Sequence, residues 1–122
     1  MSVRDQLQIS LEAVIPNTWR LIPYEDNVDT LDSPLVMFKQ SKIEKAAEAP
    51  RGAYLFTYTI TIVNDLSDPH KAEAALDDDV ETLFAALDGI RWMNPVDATK
   101  VLFQDSYLAY DITLKILTRK DA

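Results

Sequence analysis

Apolar positions along this chain recur with two periods, two residues in some stretches and three to four in others. The clearest period-two stretch is residues 52–64. Tyr54, Phe56, Tyr58, Ile60 and Ile62 fall on one face, and Thr57, Thr59 and Thr61 fall on the other. Side chains alternate across a strand, so this stretch predicts one long, half-buried antiparallel strand. Residues 35–43 precede it, and Leu35, Val36, Met37 and Phe38 are apolar on both faces, which predicts a strand covered from both sides over its first half. The turn Glu44–Arg51 joins the two into a long β-hairpin. Each strand spans ~30 Å at about 3.3 Å per residue, so the hairpin is expected to project beyond the body of the domain. Residues 98–104 place Val101 and Phe103 on one face and Leu102 on the other. Residues 107–118 place Leu108, Tyr110, Ile112, Leu114 and Ile116 opposite Asp111, Thr113 and Lys115. A short strand at 18–23 puts Trp19 and Leu21 on one face, with Pro23 marking a strand end or a sheet edge.

Helical spacing appears twice. Val3, Leu7, Leu11 and Val14 form an apolar stripe over residues 3–15. Ser2 is a suitable N-cap with Asp5 three residues on, a short-armed capping box, and Pro16 disfavours the helical conformation at Ile15. The second helix starts at Asp68, with Pro69 at the first helical position, and ends at Gly89 as the residue after the last turn. Ala72, Leu76, Val80, Leu83, Phe84 and Leu87 make its buried stripe. Residues 24–34 and 91–96 read as connections, the first of them acidic. The order is α-β-β-β-α-β-β, which predicts an α+β fold: a mostly antiparallel sheet of about five strands with two helices on one face.

Composition narrows what such a domain can do. At 122 residues the chain is one domain, residues 1–122. Twenty acids against twelve bases give a net charge of −8. Nucleic-acid affinity rests on Lys and Arg neutralising phosphates, so specific nucleic-acid binding is not expected. There is no polybasic run for an anionic membrane, no apolar stretch of the ~20 residues a spanning helix needs, and no apolar signal core near Met1. The chain has no cysteine, which excludes disulfides and thiolate metal sites and fits a protein used inside the cell. Two glycines build neither a phosphate-binding loop nor a nucleophile elbow.

The titratable residues offer little chemistry. His70, the only histidine, lies in the first turn of the second helix and is expected to be exposed. Asp77, Asp78, Glu81 and Asp88 lie away from the apolar stripe and form an outward acidic stripe. Such a stripe is a solvated face or a docking surface for a basic partner. A divalent-cation site is the weaker reading, because calcium and magnesium want several converging oxygens. The Thr57, Thr59, Thr61 face is open sheet or a contact with a neighbouring subunit. No catalytic, cofactor-binding or metal-ligating residue is assigned, and no enzyme activity is expected.

The layout and several short strings resemble the tail terminator proteins of long-tailed bacteriophages, particularly those infecting actinobacteria. The strings are Ile15-Pro16-Asn17-Thr18-Trp19, Leu31-Asp32-Ser33-Pro34 running into Leu35-Val36-Met37-Phe38-Lys39-Gln40, Thr61-Ile62-Val63, Ser67-Asp68-Pro69 with Ala72-Glu73, and Tyr110-Asp111-Ile112-Thr113-Leu114. The resemblance implies a structural virion protein at the head-proximal end of the tail, assembled in the host cytoplasm. It implies a homo-hexameric ring that caps the tail tube, ends its polymerisation and offers a surface to the head–tail connector proteins, with DNA passing through the lumen and no cofactor. On that reading Arg51, Tyr54, Thr57, Thr59 and Thr61 of the hairpin, with Asp77, Asp78, Glu81 and Asp88, are the candidate ring or partner contacts. A neck protein such as a stopper or adaptor shares this outline. A small ligand- or nucleic-acid-binding α+β domain is the remote alternative, since the opening α-β-β-β-α order also echoes a double-stranded RNA-binding domain.

Overall fold

The computed structural model describes residues 2–24, 31–45, 53–66, 68–104 and 107–119. Helix α1 runs Val3–Val14, followed by β1 (Arg20–Ile22), β2 (Leu35–Lys45), β3 (Ala53–Val63), α2 (Pro69–Asp88), β4 (Met93–Phe103) and β5 (Tyr107–Arg119). The fold is α+β, with two helices and one five-stranded sheet in the spatial order β1-β2-β3-β5-β4. Strands β2, β3, β5 and β4 pair antiparallel in succession. Strand β1 pairs parallel with β2, with Arg20 opposite Leu35 and Ile22 opposite Met37. The sheet is therefore mixed: three of its four pairings are antiparallel, as expected of a mostly antiparallel sheet, and the parallel β1–β2 pairing is the departure. The physical reason lies in the connection: residues 23–34 are long enough to carry the chain back to the start of the sheet, the requirement for a parallel neighbour.

The sheet has two unlike faces. Val36 and Phe38 of β2, Tyr58, Ile60 and Ile62 of β3, and Ile112, Leu114 and Ile116 of β5 point to one side. Leu7 and Leu11 of α1 and Leu76, Val80, Leu83 and Leu87 of α2 pack on that side to complete the main core. The other side has a smaller cluster at one end only: Ile22, Leu35, Met37, Val63 and Ala109, with Leu31, Phe103 and Tyr107 against it. This second cluster is why Leu35 through Phe38 are all buried while β2 beyond Phe38 is largely exposed. Apolar residues on both faces are matched by cover on both faces.

Local signals set the helix ends. The Ser2 side chain accepts the Asp5 amide and the Asp5 carboxylate accepts the Ser2 amide, a reciprocal box at α1. The Asp68 side chain accepts the amides of His70 and Lys71 at α2. Gly89 closes α2 with φ −77°, in the right-handed region, so its lack of a Cβ is not what ends this helix.

Two expectations change at the sheet margins. Residues 93–96 belong to β4 and are not a loop. Pro95 is accommodated because β4 is an edge strand, and the register shifts between Pro95 and Asp97 as at a bulge. The β2–β3 hairpin does not stand alone either. Strand β5 pairs β3 over its whole length, from Ala53 opposite Arg119 to Val63 opposite Ala109. The far end is a three-stranded extension, and a third strand gives it the stability a lone ribbon lacks.

Candidate functional site

Strand alternation carries Thr57, Thr59 and Thr61 of β3 onto the side of the sheet away from the helices. Register places them opposite Lys115, Thr113 and Asp111 of β5. Thr99 of β4 lies beside Asp111 and Asp97 beside Thr113, so a polar band crosses the sheet. The three threonines are half-buried by their neighbours. Thr61 Oγ1 donates to Asp111 Oδ1 at 2.6 Å, a cross-strand bond that fixes both side chains. The band is flanked by the smaller apolar cluster at one end and by Leu55 and Leu117 at the other.

The acidic stripe lies on the far side of the molecule. Asp77, Asp78, Glu81 and Asp88 are all exposed on α2, with Asp77 near enough to the edge strand for its charge to act on Lys100. Asp79 sits between them but is half-buried. Burial, then the carboxylates of Asp78 and Asp65, pushes its pKa above the usual aspartate value. Helix α2 is clipped to the edge strand by Lys100 Nζ, 2.7 Å from Glu73 Oε1. The hydrogen bond and charge of Lys100 hold the Glu73 carboxyl below its ordinary range, and the same bond raises Lys100. Lys100 also lies 5.6 Å from the centre of the Tyr110 ring.

Tyr54 belongs to neither surface. It pairs with Lys45 and Thr118 at the far end of β3, on the helix side of the sheet, half-buried. Arg51 lies outside the described residues. The structure thus groups the threonines, separates them from the acidic helix by the thickness of the domain, and leaves Tyr54 apart from both.

Beneath α1 a polar group is tied into the main core. Tyr58 is 1% exposed, and its hydroxyl donates to Gln40 Oε1 at 3.1 Å. The Tyr58 ring meets Phe38 edge to face at 6.1 Å, and the Arg4 guanidinium lies 5.8 Å over Phe38 while donating to the Pro23 carbonyl. Burial raises the Tyr58 pKa, opposed by the charge of Arg4. The arrangement locks the α1 start to β1 and β2.

A cavity of about 460 Å³ opens where β4 begins, at the end of the open face. Leu55, Arg91, Trp92, Asn94, Lys115 and Leu117 line it. Arg91 and Trp92 lie in the turn ahead of β4, within the connection expected over residues 91–96. The signal was the Arg-Trp pair, but nothing in the spacing tied it to Lys115 and Leu117, which strand pairing alone brings alongside. Among the described residues, no group of three or more His, Asp or Glu converges in a way that could hold a metal ion, and no helix is long and apolar enough to cross a membrane.

No family model matches the sequence, and no curated protein matches it.

Proposed function

We propose that this protein is a structural part of a virion: a tail terminator that caps the tail tube as a ring of identical subunits, ends tube growth and presents a surface for head joining. The family resemblance supplies the assembly. The observation that supports it in the fold is the pair of unlike surfaces on opposite sides of the domain: the threonine-banded sheet face and the exposed acidic stripe of Asp77, Asp78, Glu81 and Asp88. Closed rings need a heterologous contact, in which one patch meets a different patch on the next copy. The same reading makes the chain a non-enzyme. His70 is exposed at the start of α2.

Electron microscopy of particles assembled without this protein tests the reading. A terminator leaves overlong tubes; tails of set length identify a later neck component; normal joined particles overturn the proposal. Asp77→Asn, Asp78→Asn and Glu81→Gln together are expected to weaken docking to tube or connector proteins while the thermal melt stays unchanged. Undiminished tail joining by that variant would remove the stripe from the interface.

A further inference from the structure

Large apolar side chains are exposed at several places, among them Ile9, Ile43, Val96 and Leu102, and two others border one cavity. Leu117, 59% exposed, and Trp92 border the cavity at one end of the open face. Leu66, 42% exposed, lies just past the opposite end of β3, in the connection to α2. Its backbone is anchored from below. Asn64 is buried, donates its amide to the Leu108 carbonyl at 3.0 Å, and accepts the Leu66 amide on Oδ1 at 2.9 Å. A turn fixed in this way holds Leu66 outward as a knob, next to the half-buried Asp65, whose charge reaches Asp79.

The cavity has the opposite character. Leu55, Trp92 and Leu117 give apolar walls, and Arg91 and Lys115 bring two positive charges in a chain of net charge −8. Among the described residues neither cation is paired with a carboxylate. Knob and cavity are separated by the run of β3 from Leu55 to Val63, roughly 25 Å at about 3.3 Å per residue, so one copy cannot fill its own cavity.

We propose that the cavity lined by Leu55, Arg91, Trp92, Lys115 and Leu117 receives Leu66 and Asp65 of a second copy of this chain. The contact is head-to-tail: apolar knob into apolar walls, carboxylate against Arg91 and Lys115. It rests on the self-assembly reading above and sets the subunit contact at knob and cavity instead of at the threonine band and acidic stripe. Because the two patches differ and lie at opposite ends of β3, each subunit carries one of each, the condition for a chain of contacts that closes into a ring. The tryptophan and arginine of the cavity, exposed in a single copy, are residue types that anchor interfaces once covered.

Two variants decide it. Leu66→Glu spoils the knob and leaves the cavity; Arg91→Glu with Leu117→Glu spoils the cavity and leaves the knob. All three changes are at exposed positions. In sedimentation at ~0.15 M salt, where long-range repulsion is screened, each variant alone is expected to be monomeric where the unaltered protein oligomerises. An equimolar mixture is expected to form a 1:1 dimer and nothing larger, since it contains one intact knob and one intact cavity. That dimer also shows both variants to be folded. A Leu66→Ala change is expected to weaken self-association at least about tenfold, the equivalent of ~1.4 kcal/mol. An unaltered protein that oligomerises while both variants still do so overturns this contact and leaves the self-assembly reading standing. Variants that stay monomeric when mixed overturn the contact as well. A protein monomeric at every concentration overturns it too, and tail assembly then judges the function separately.

Discussion

Asp79 shows how a single side chain records the surface it sits in. Its neighbours Asp77 and Asp78 face water, whereas Asp79 is half-buried, and burial first, then Asp78 and Asp65, raises its pKa. The native state therefore holds this proton more tightly than the unfolded chain, whose aspartate titrates near 3.8. Above the native pKa the ionised carboxylate is a cost to the fold. As pH falls through the native pKa toward the unfolded one, the native state takes up the proton first and the cost is withdrawn. Asp79→Asn is expected to raise the urea midpoint at neutral pH, with the advantage shrinking as pH approaches ~4. A gain that stays constant over that range would mean the substitution acts through packing. The exposed Glu73–Lys100 pair is shifted in the sense that favours pairing, but such a pair contributes little and is screened by salt.

At the scale of an element, α2 carries the argument because one stripe of it faces the main core while its other side forms the acidic surface. Its two ends behave differently. Asp68 satisfies the first free amides, so Asp68→Ala is expected to cost about 1 kcal/mol. Gly89 has ordinary right-handed φ, and a Cβ there meets only the Ala86 and Ala85 carbonyl oxygens, at 3.5 and 3.6 Å. Gly89→Ala should therefore stabilise by roughly 0.5 kcal/mol through the unfolded chain. Urea unfolding of both variants checks the pair; a destabilised Gly89→Ala would show that the helix end has a conformation glycine alone can take. Strand β4 illustrates the same point on the sheet. A proline at position 95 reads as a loop signal along the chain, yet it sits in a strand because one side of that strand has no partner needing its N–H.

For the whole molecule, charge and shape act in opposite directions on assembly. Each copy carries −8, so neighbouring copies repel through solvent until salt screens them. The proposed knob-and-cavity contact would be short-range and partly apolar, and so weakened far less by the same salt. Oligomeric mass is accordingly expected to rise as ionic strength increases from ~10 mM to ~0.15 M, over which the Debye length falls from about 30 Å to about 8 Å. Light scattering across that series checks this. A mass that falls with added salt would place the charges in attractive contact as the dominant force, and one that never changes would remove electrostatics from assembly.

The alternation of Tyr54 through Ile62 and of Leu108 through Ile116, the stripe of Leu76, Val80, Leu83 and Leu87, and the caps at Ser2 and Asp68 were all readable in order along the chain. Each is a short-range matter of periodicity or of a side chain reaching a nearby amide. The separation of the threonine band from the acidic stripe also follows from alternation, once the helices are known to share one side. Three features were decided only by tertiary structure. The parallel pairing of β1 with β2 depends on where a long connection brings the chain back. The strand at Met93–Val96 depends on β4 falling at the sheet edge. The cavity joins Arg91 and Trp92 to Lys115, Leu117 and Leu55, residues from three strand regions far apart in sequence. Local physics writes itself into neighbouring residues, whereas which strands become neighbours, and so which side chains meet, is set by packing the whole chain at once.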